Sequence, residues 1–161
     1  MILRDEASSD AEAVRRVIDA AFGGPAESRL VRQLHQDGDA VIALVAEVEG
    51  AILGHVLLSR MEAPFAALAL APVSVAPGKQ GAGVGSALVR DALDRAARGD
   101  WRAVFVLGDP AYYQRFGFSR DLAAGFDSPY AGQHFMALAL GRPLPAMSGR
   151  LRHAGAFHAL D

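Results

Sequence analysis

The chain has 161 residues, 52% of them hydrophobic, with a formal net charge of −2 and no cysteine. This composition predicts one domain over residues 1–161 with a sizeable core, no general attraction to nucleic acid or to an anionic membrane, and neither disulfides nor thiolate chemistry. Because no apolar run is long enough to span a membrane and the N-terminal segment is charged, we expect a cytoplasmic protein.

A short strand and two helices are predicted at the start of the chain. Ser9 lies three residues before Glu12, which fits the capping box of a first helix. Apolar residues then recur at helical spacing until two glycines at positions 23 and 24 end that helix. A second helix is predicted from Pro25 to Gly38.

Three strands are predicted next. Ala40–Val48 is an almost unbroken apolar run, and a tight turn at residues 49–50 joins it to a partner strand over Ala51–Ser59. A central strand is predicted over Leu68–Val75. Because Pro72 cannot donate a hydrogen bond to a sheet, we expect a bulge or an end of pairing at that position.

The second half alternates helix and strand. A helix is predicted from about residue 83 to 98, and a strand over Ala103–Leu107. A short helix then begins near Pro110 and ends at Gly117, a loop covers residues 125–132, a strand covers Phe135–Leu140, and a last strand lies in the tail. This order of elements predicts a single mixed α/β sheet flanked by helices.

The turn between the central strand and the following helix is rich in glycine, at positions 81, 83 and 85. Glycine has no Cβ atom to keep a ligand away from the backbone, and it tolerates positive φ. The first turn of the following helix has N–H groups without intrahelical partners and a partial positive charge from the helix dipole. The stretch therefore predicts a binding site for an anion, with phosphate as the natural ligand.

The spacing of this turn excludes two familiar phosphate motifs. A P-loop needs a lysine directly after Gly78-x-x-x-x-Gly83, and none is present. A dinucleotide fingerprint needs glycine or alanine where Ser86 stands. The pattern Gln80-x-x-Gly83-x-Gly85 instead resembles the acyl-CoA pyrophosphate loop of the GNAT N-acetyltransferase superfamily.

A second motif follows the next predicted strand and strengthens this resemblance. Tyr113 stands four residues before the pair Gly117-Phe118, as a tyrosine does at this point of GNAT sequences. The segment Leu107–Tyr113 is similar to the YhbS-like branch of predicted acetyltransferases. Two motifs in this order, separated by one helix and one strand, are more specific than either alone.

The resemblance implies a GNAT fold with a mostly antiparallel sheet that splays between its fourth and fifth strands, with Pro72 near the break. It implies acetyl-CoA as the acyl donor. Val73, Ser74 and Val75 would hold the pantetheine arm. The pyrophosphate would be held by the loop residues Gln80, Gly81, Ala82, Gly83, Val84, Gly85 and Ser86.

In this family the amine attacks the thioester directly, and backbone N–H groups of the fourth strand stabilise the oxyanion. We assign Tyr113 as the acid that protonates the CoA thiolate, since a phenol can donate that proton. The general base stays unassigned. The central strand has no carboxylate, so Glu62, Glu27 and a water relay through Ser74 or backbone carbonyls remain open.

Two other functions remain open from the sequence: a non-catalytic acyl-CoA-binding or sensor domain, and a nucleotide-phosphate module of another fold. The acceptor amine is expected to be a small molecule or a peptide, and a homodimer is common in this family. The five histidines have no ligand spacing, so we predict no metal site. Among them, His55 lies in an apolar strand and is predicted to be a core or cleft residue.

Overall fold

The computed structural model describes residues 1–160 and contains five α-helices and nine strands within that range. The helices are α1 (Ala11–Phe22), α2 (Ala26–Gln36), α3 (Val84–Arg98), α4 (Pro110–Tyr113) and α5 (Arg120–Ala123). The strands are β1 (Ile2–Asp5), β2 (Ala40–Val48), β3 (Ala51–Glu62), β4 (Ala67–Val75), β5 (Ala103–Leu107), β6 (Phe126–Asp127), β7 (Phe135–Ala139), β8 (Gly149–Arg150) and β9 (Arg152–His153). Short 3-10 turns precede α1, follow α4 and end the described chain.

One seven-stranded sheet forms the centre of the molecule, in the order β1-β2-β3-β4-β5-β7, with β9 paired to the far end of β3. All its pairs are antiparallel except β4–β5, which is parallel. The short strands β6 and β8 form a separate parallel pair. The predicted mixed, mostly antiparallel sheet is confirmed.

Helices cover both faces of this sheet because alternate residues of each strand point to opposite sides. α3 covers one face, where Leu88 and Val89 belong to one core cluster with Val56 and Leu58 of β3. α1 and α2 cover part of the other face. The rest of that face is covered by the segments after α4, whose Phe126 packs edge-on against Phe105 at a centroid distance of 5.4 Å.

The sheet splays between β4 and β5, as predicted. β5 pairs with β4 only from Ala67 to Leu70, whereas β4 continues to Val75 alongside β3. Val56 pairs with Val73 and Leu58 pairs with Leu70, so two residues of β4 face one residue of β3. The break lies at Pro72, which has no N–H to give to a ladder, and the predicted bulge is confirmed.

The capping box predicted at Ser9 is wrong. Residues 8–10 form a 3-10 turn, and it is the Asp10 carboxylate that accepts a hydrogen bond from the Ala7 N–H, at 2.7 Å. Asp10 also binds the guanidinium of Arg4 at 2.7 Å, and this ion pair joins the start of α1 to β1.

Three smaller differences lie in the second half of the chain. The predicted loop 125–132 contains the two-residue strand β6, and helix α5 before it was not predicted. The last strand predicted in the tail is divided into β8 and β9, which join two different sheets.

Candidate functional site

The free edge of β4 is the first part of the candidate site. The Ala76 N–H donates to the Leu53 carbonyl of β3 at 2.8 Å. Backbone groups of alternate residues point to opposite sides of a strand, so those of Val73 and Val75 point away from β3, into the space left by the splay. Both side chains pack against the core under α3 and are half-buried. This edge therefore presents backbone donors and acceptors beside an apolar wall.

The glycine-rich turn lies directly after this edge. Gly81 has φ of 82° and Gly83 has φ of 89°, the left-handed region that favours glycine. A Cβ atom at either position would meet no other atom within 4 Å, so the space above the turn is open. The Gln80 side-chain amide donates to the Val75 carbonyl at 3.2 Å and closes the turn onto β4.

Helix α3 begins at the end of this turn. Its first intrahelical bond runs from the Ala87 N–H to the Gly83 carbonyl at 3.0 Å, which leaves the N–H groups of Val84, Gly85 and Ser86 without helical partners. These N–H groups and the positive end of the helix dipole lie beside the open space, an arrangement that suits an anion.

Helix α4 contacts the first turn of α3 through Tyr112. The Tyr112 hydroxyl lies 3.1 Å from the Ser86 hydroxyl. A Cβ atom on Gly85 would lie 3.5 Å from the same Tyr112 oxygen and 3.3 Å from Val75 Cγ2. Gly85 therefore lets β4, α3 and α4 meet at one end of the sheet, which brings the two sequence motifs together.

Tyr113 is a buried member of the core under α3, with 8% of its surface exposed. Its ring packs edge-on against Tyr112 and Phe118, at centroid distances of 5.0 Å and 5.8 Å. A Cβ atom on Gly108 would lie 2.5 Å from the ring, so that glycine makes room for it. Burial, with a smaller contribution from Tyr112, raises the pKa of Tyr113 to about 12. The phenol thus keeps its proton throughout the neutral and moderately alkaline range.

The two carboxylates considered as general bases, Glu62 and Glu27, lie on different elements. Glu62 is the last residue of β3. Its side chain is 77% exposed, and its Oε2 lies 4.0 Å from Nε of Arg152. Glu27 lies in the first turn of α2 and is half-buried. Ser74, in contrast, is buried, and its hydroxyl has no hydrogen-bond partner among the described residues.

A largely buried polar cluster of Glu6, His55 and His35 lies at α1 and α2, and the sequence reasoning missed it. Glu6, directly after β1, contacts Nε2 of His55 at 2.7 Å and Nε2 of His35 at 3.4 Å. Only 8% of the Glu6 side chain is exposed, and His55 is fully buried. Burial by itself raises the pKa of Glu6, but the hydrogen bonds from His35 and His55 outweigh it and lower this pKa to about 2. The bond with Glu6 also raises the pKa of His35.

No local sequence pattern predicts this cluster, because Glu6 and His55 are 49 positions apart in sequence. Only the order β1-β2-β3 brings them together.

Residues 1–160 contain no group of three or more acidic, histidine or cysteine side chains placed to hold a metal ion. Within the same range no helix has the length and apolar character needed to cross a membrane.

The chain matches known proteins over the region that contains both motifs. Residues 39–120 match the family described as Acetyltransferase (GNAT) domain. The chain is 37% identical over 131 residues to the uncharacterized N-acetyltransferase YjhQ of Escherichia coli K12, covering 76% of this chain and 72% of YjhQ. It is 36% identical over 131 residues to the uncharacterized N-acetyltransferase YhbS of the same strain, covering 79% and 77%.

Two solved structures are similar over nearly the whole chain. The GNAT family N-acetyltransferase YhbS from Escherichia coli, in complex with CoA, superposes with a TM-score of 0.90 at 28% identity, covering 98% of this chain and 91% of that one. A GNAT family acetyltransferase from Brucella melitensis, in complex with acetyl-CoA, superposes with a TM-score of 0.82 at 32% identity, covering 97% of each chain.

Proposed function

The chain belongs to the GNAT family of acetyltransferases, and we propose that it transfers the acetyl group of acetyl-CoA directly to a primary amine. The observation that carries this proposal is the unpaired edge of β4, which leads straight into the glycine-rich turn and the first turn of α3. The two relatives with CoA and acetyl-CoA bound support the choice of donor.

The donor would lie along the splay. Backbone groups of Val73 and Val75 would bond the pantetheine amides, on either side of Ser74. The pyrophosphate would lie over the open turn and the start of α3, at Gln80, Gly81, Ala82, Gly83, Val84, Gly85 and Ser86. The fit rests on the open space above Gly81 and Gly83, where the backbone itself can approach a phosphate.

Tyr113 would supply the proton that the CoA thiolate takes on leaving. A raised pKa, to about 12, keeps the phenol protonated at the pH of the reaction, and proton donation to a leaving group contributes about 10²- to 10⁴-fold to rate. The position of α4 against the first turn of α3, through Tyr112 and Ser86, supports this role because it places the tyrosines at the end of the sheet where the splay opens.

The experiment that tests the proposal measures release of CoA thiol from acetyl-CoA, with and without a panel of primary amines, peptides and aminoglycosides. Release that depends on an amine, together with the acetylated amine in the products, is the expected result. Binding of acetyl-CoA without stimulation by any amine would favour a non-catalytic acyl-CoA sensor. Preference for a nucleoside triphosphate over CoA would contradict the donor assignment.

A further inference from the structure

Two buried polar atoms on neighbouring strands have no hydrogen-bond partner among residues 1–160: Nδ1 of His55 and the hydroxyl oxygen of Ser74. His55 is fully buried and Ser74 is 2% exposed. The two residues lie directly opposite each other in the pairing of β3 with β4. Side chains at such positions share one face of the sheet, with Cβ atoms about 5 Å apart.

Glu6 determines which nitrogen of His55 carries the proton. Its carboxylate, whose pKa is lowered to about 2, accepts from Nε2 at 2.7 Å. In the neutral ring, which has one proton to place, Nε2 is therefore the protonated nitrogen and Nδ1 is the free base. A carboxylate that holds the proton on one ring nitrogen leaves the other free to accept a proton, as in the Ser-His-Asp triad, although there the two nitrogens have the opposite roles.

Ser74 lies between this base and the splay. Its neighbours in sequence, Val73 and Val75, point their backbone groups into the space between β4 and β5, while its own side chain faces His55 across the ladder. A hydroxyl both accepts and donates a proton, so it can pass one across a strand. In the structure the Ser74 hydroxyl is buried and makes no hydrogen bond to Nδ1 of His55, so the relay requires this hydroxyl to turn toward Nδ1 and toward the bound amine.

We propose that Glu6, His55 and Ser74 form the proton-accepting relay for the acceptor amine, the role for which the sequence offered no carboxylate on β4. The inference rests on the proposed acetyltransferase function. Ser74 is the group that meets the amine, and Glu6 and His55 are positioning and proton-storing residues behind it.

The reaction releases one proton per turnover, and the relay accepts one proton. An alkylamine is an ammonium ion at neutral pH, with a pKa near about 10 like that of lysine, and its nitrogen has no lone pair to attack with. One N–H proton moves to the Ser74 oxygen while the Ser74 hydroxyl proton moves to His55 Nδ1. The free amine then forms the C–N bond, the C–S bond breaks, and the thiolate takes a proton from Tyr113. The second N–H proton of the product amide's nitrogen reprotonates Tyr113, so one proton per turnover remains on His55 and must reach solvent.

The cluster also offers a route for that proton. His35, bonded to the same Glu6 carboxylate, is 40% exposed and lines an open pocket of about 550 Å³ between α1 and α2. Several other charged side chains on this face are bound to one another. Glu12 and Asp19 bind Arg15, and Asp10 and Glu47 bind Arg4, while Arg32 lines the pocket wall.

The first test needs no acceptor. Nitrogen-15 NMR of the histidine rings, with His55 assigned by comparison with His55→Gln, reports the tautomer directly. We expect a protonated Nε2 and an unprotonated Nδ1 in the neutral ring, with and without acetyl-CoA, and loss of this preference in Glu6→Gln. A proton on Nδ1 of the neutral wild-type ring would overturn the relay.

The second test compares two nucleophiles of the same carbon skeleton: the primary alkylamine that releases most thiol, which is charged at pH 7, and its O-alkylhydroxylamine counterpart, which is neutral. Ser74→Ala and His55→Gln should lower kcat for the charged amine by about 10²-fold, within the range of general base catalysis. Turnover of the neutral nucleophile should change by less than about threefold, because it has no proton to lose before attack.

Ser59→Ala is the matched control. Ser59 lies on β3 as well, is fully buried, and also has a hydroxyl without a partner in the described chain, but it pairs with Ala69 rather than with the free end of β4. Its kcat should equal that of the wild type with both nucleophiles. An equal loss with both nucleophiles in Ser74→Ala would mean a merely structural role, and unchanged kcat with the charged amine would also refute the relay.

The acetyl-CoA dissociation constant of each variant, measured by calorimetry, separates this inference from the proposed function. If acetyl-CoA binds and Tyr113→Phe impairs turnover while the relay variants behave as wild type, the relay is wrong and the acetyltransferase assignment stands. If acetyl-CoA does not bind the wild-type protein, the proposed function itself fails.

Discussion

Replacing Glu6 with glutamine should remove a pH-dependent part of the protein's stability. The hydrogen bonds from His35 and His55 lower the Glu6 pKa from 4.5 to about 2 against the cost of burial. Linkage converts this difference into roughly 3 kcal/mol of stabilisation. A small domain has a total of about 5–15 kcal/mol, so this one carboxylate is a large contributor.

The sign follows from the direction of each pKa. Glu6 titrates at a lower pH in the folded chain, so its contribution is complete above the unfolded value of 4.5 and is lost as pH falls from there toward 2. By pH 3.5 about 1.4 kcal/mol should be lost. His35 has a raised pKa, so its share is complete below 6.5 and disappears as pH rises through the folded value. The cluster is therefore strongest between about pH 5 and 6.5.

The assay is urea unfolding of wild type and Glu6→Gln at half-unit steps from pH 6.5 to 3.5. The difference in unfolding free energy between the two proteins should shrink by about 1.4 kcal/mol over this range. Glu12→Gln is the control, because Glu12 lies in an exposed ion pair with Arg15 and its difference from wild type should stay small throughout. A Glu6→Gln difference that is constant with pH would refute the reasoning about the buried carboxylate.

Three further substitutions test the site and its support. Gly83→Val should weaken acetyl-CoA binding at least tenfold, because the side chain would occupy the open space above the turn, whereas Gly38→Val, which meets the same positive φ far from the site, should only lower stability. Tyr113→Phe should lower kcat about 10²-fold or more with the acetyl-CoA dissociation constant unchanged, and wild-type activity should not decline through ionisation of this phenol below about pH 11. Gly54→Ala should destabilise the fold by about 1–3 kcal/mol in urea unfolding, since its Cβ would lie 2.9 Å from Leu88 Cδ1.

Each of these substitutions has an outcome that would contradict it. Unchanged acetyl-CoA affinity in Gly83→Val would place the pyrophosphate elsewhere. Full turnover in Tyr113→Phe would assign thiolate protonation to another group, and an equal loss in Tyr112→Phe would mean that the loss is not specific to the Tyr113 hydroxyl. Gly24→Ala is the control for Gly54→Ala, because a Cβ at Gly24 meets nothing within 4 Å and its backbone is not at positive φ.

Local sequence patterns were sufficient for most of the elements. The apolar run of β2 and the helix before Gly99 have the bounds that periodicity and glycine stops predict, because the residues that decide them are neighbours in sequence. The glycine-rich turn is likewise a local property, since positive φ at Gly81 and Gly83 depends on the absence of a side chain there. The break in β4 at Pro72 was predictable as well, because the residue type alone shows that this position has no backbone N–H.

Features that depend on distant pairing were not predictable from such patterns. The capping box at Ser9 was wrong because Arg4 and the Ala7 N–H both bind Asp10, and that preference is decided by how β1 meets α1. Two-residue strands such as β8 and β9 are too short to show a hydrophobic period. They form because β8 pairs with β6 and β9 pairs with β3.

In the candidate site, too, some features follow from local sequence and others from the pairing of distant residues. The sequence by itself predicted an anion site at the glycine-rich turn and showed which tyrosine follows the next strand, because each motif is continuous. Only the tertiary structure brought Tyr112 against Ser86, and only the strand order placed Glu6, His55 and Ser74 on one face of the sheet. The Glu6 carboxylate is buried beside His55 only because the sheet and the helices surround it together. Such burial is a property of the assembled fold rather than of any one stretch of chain.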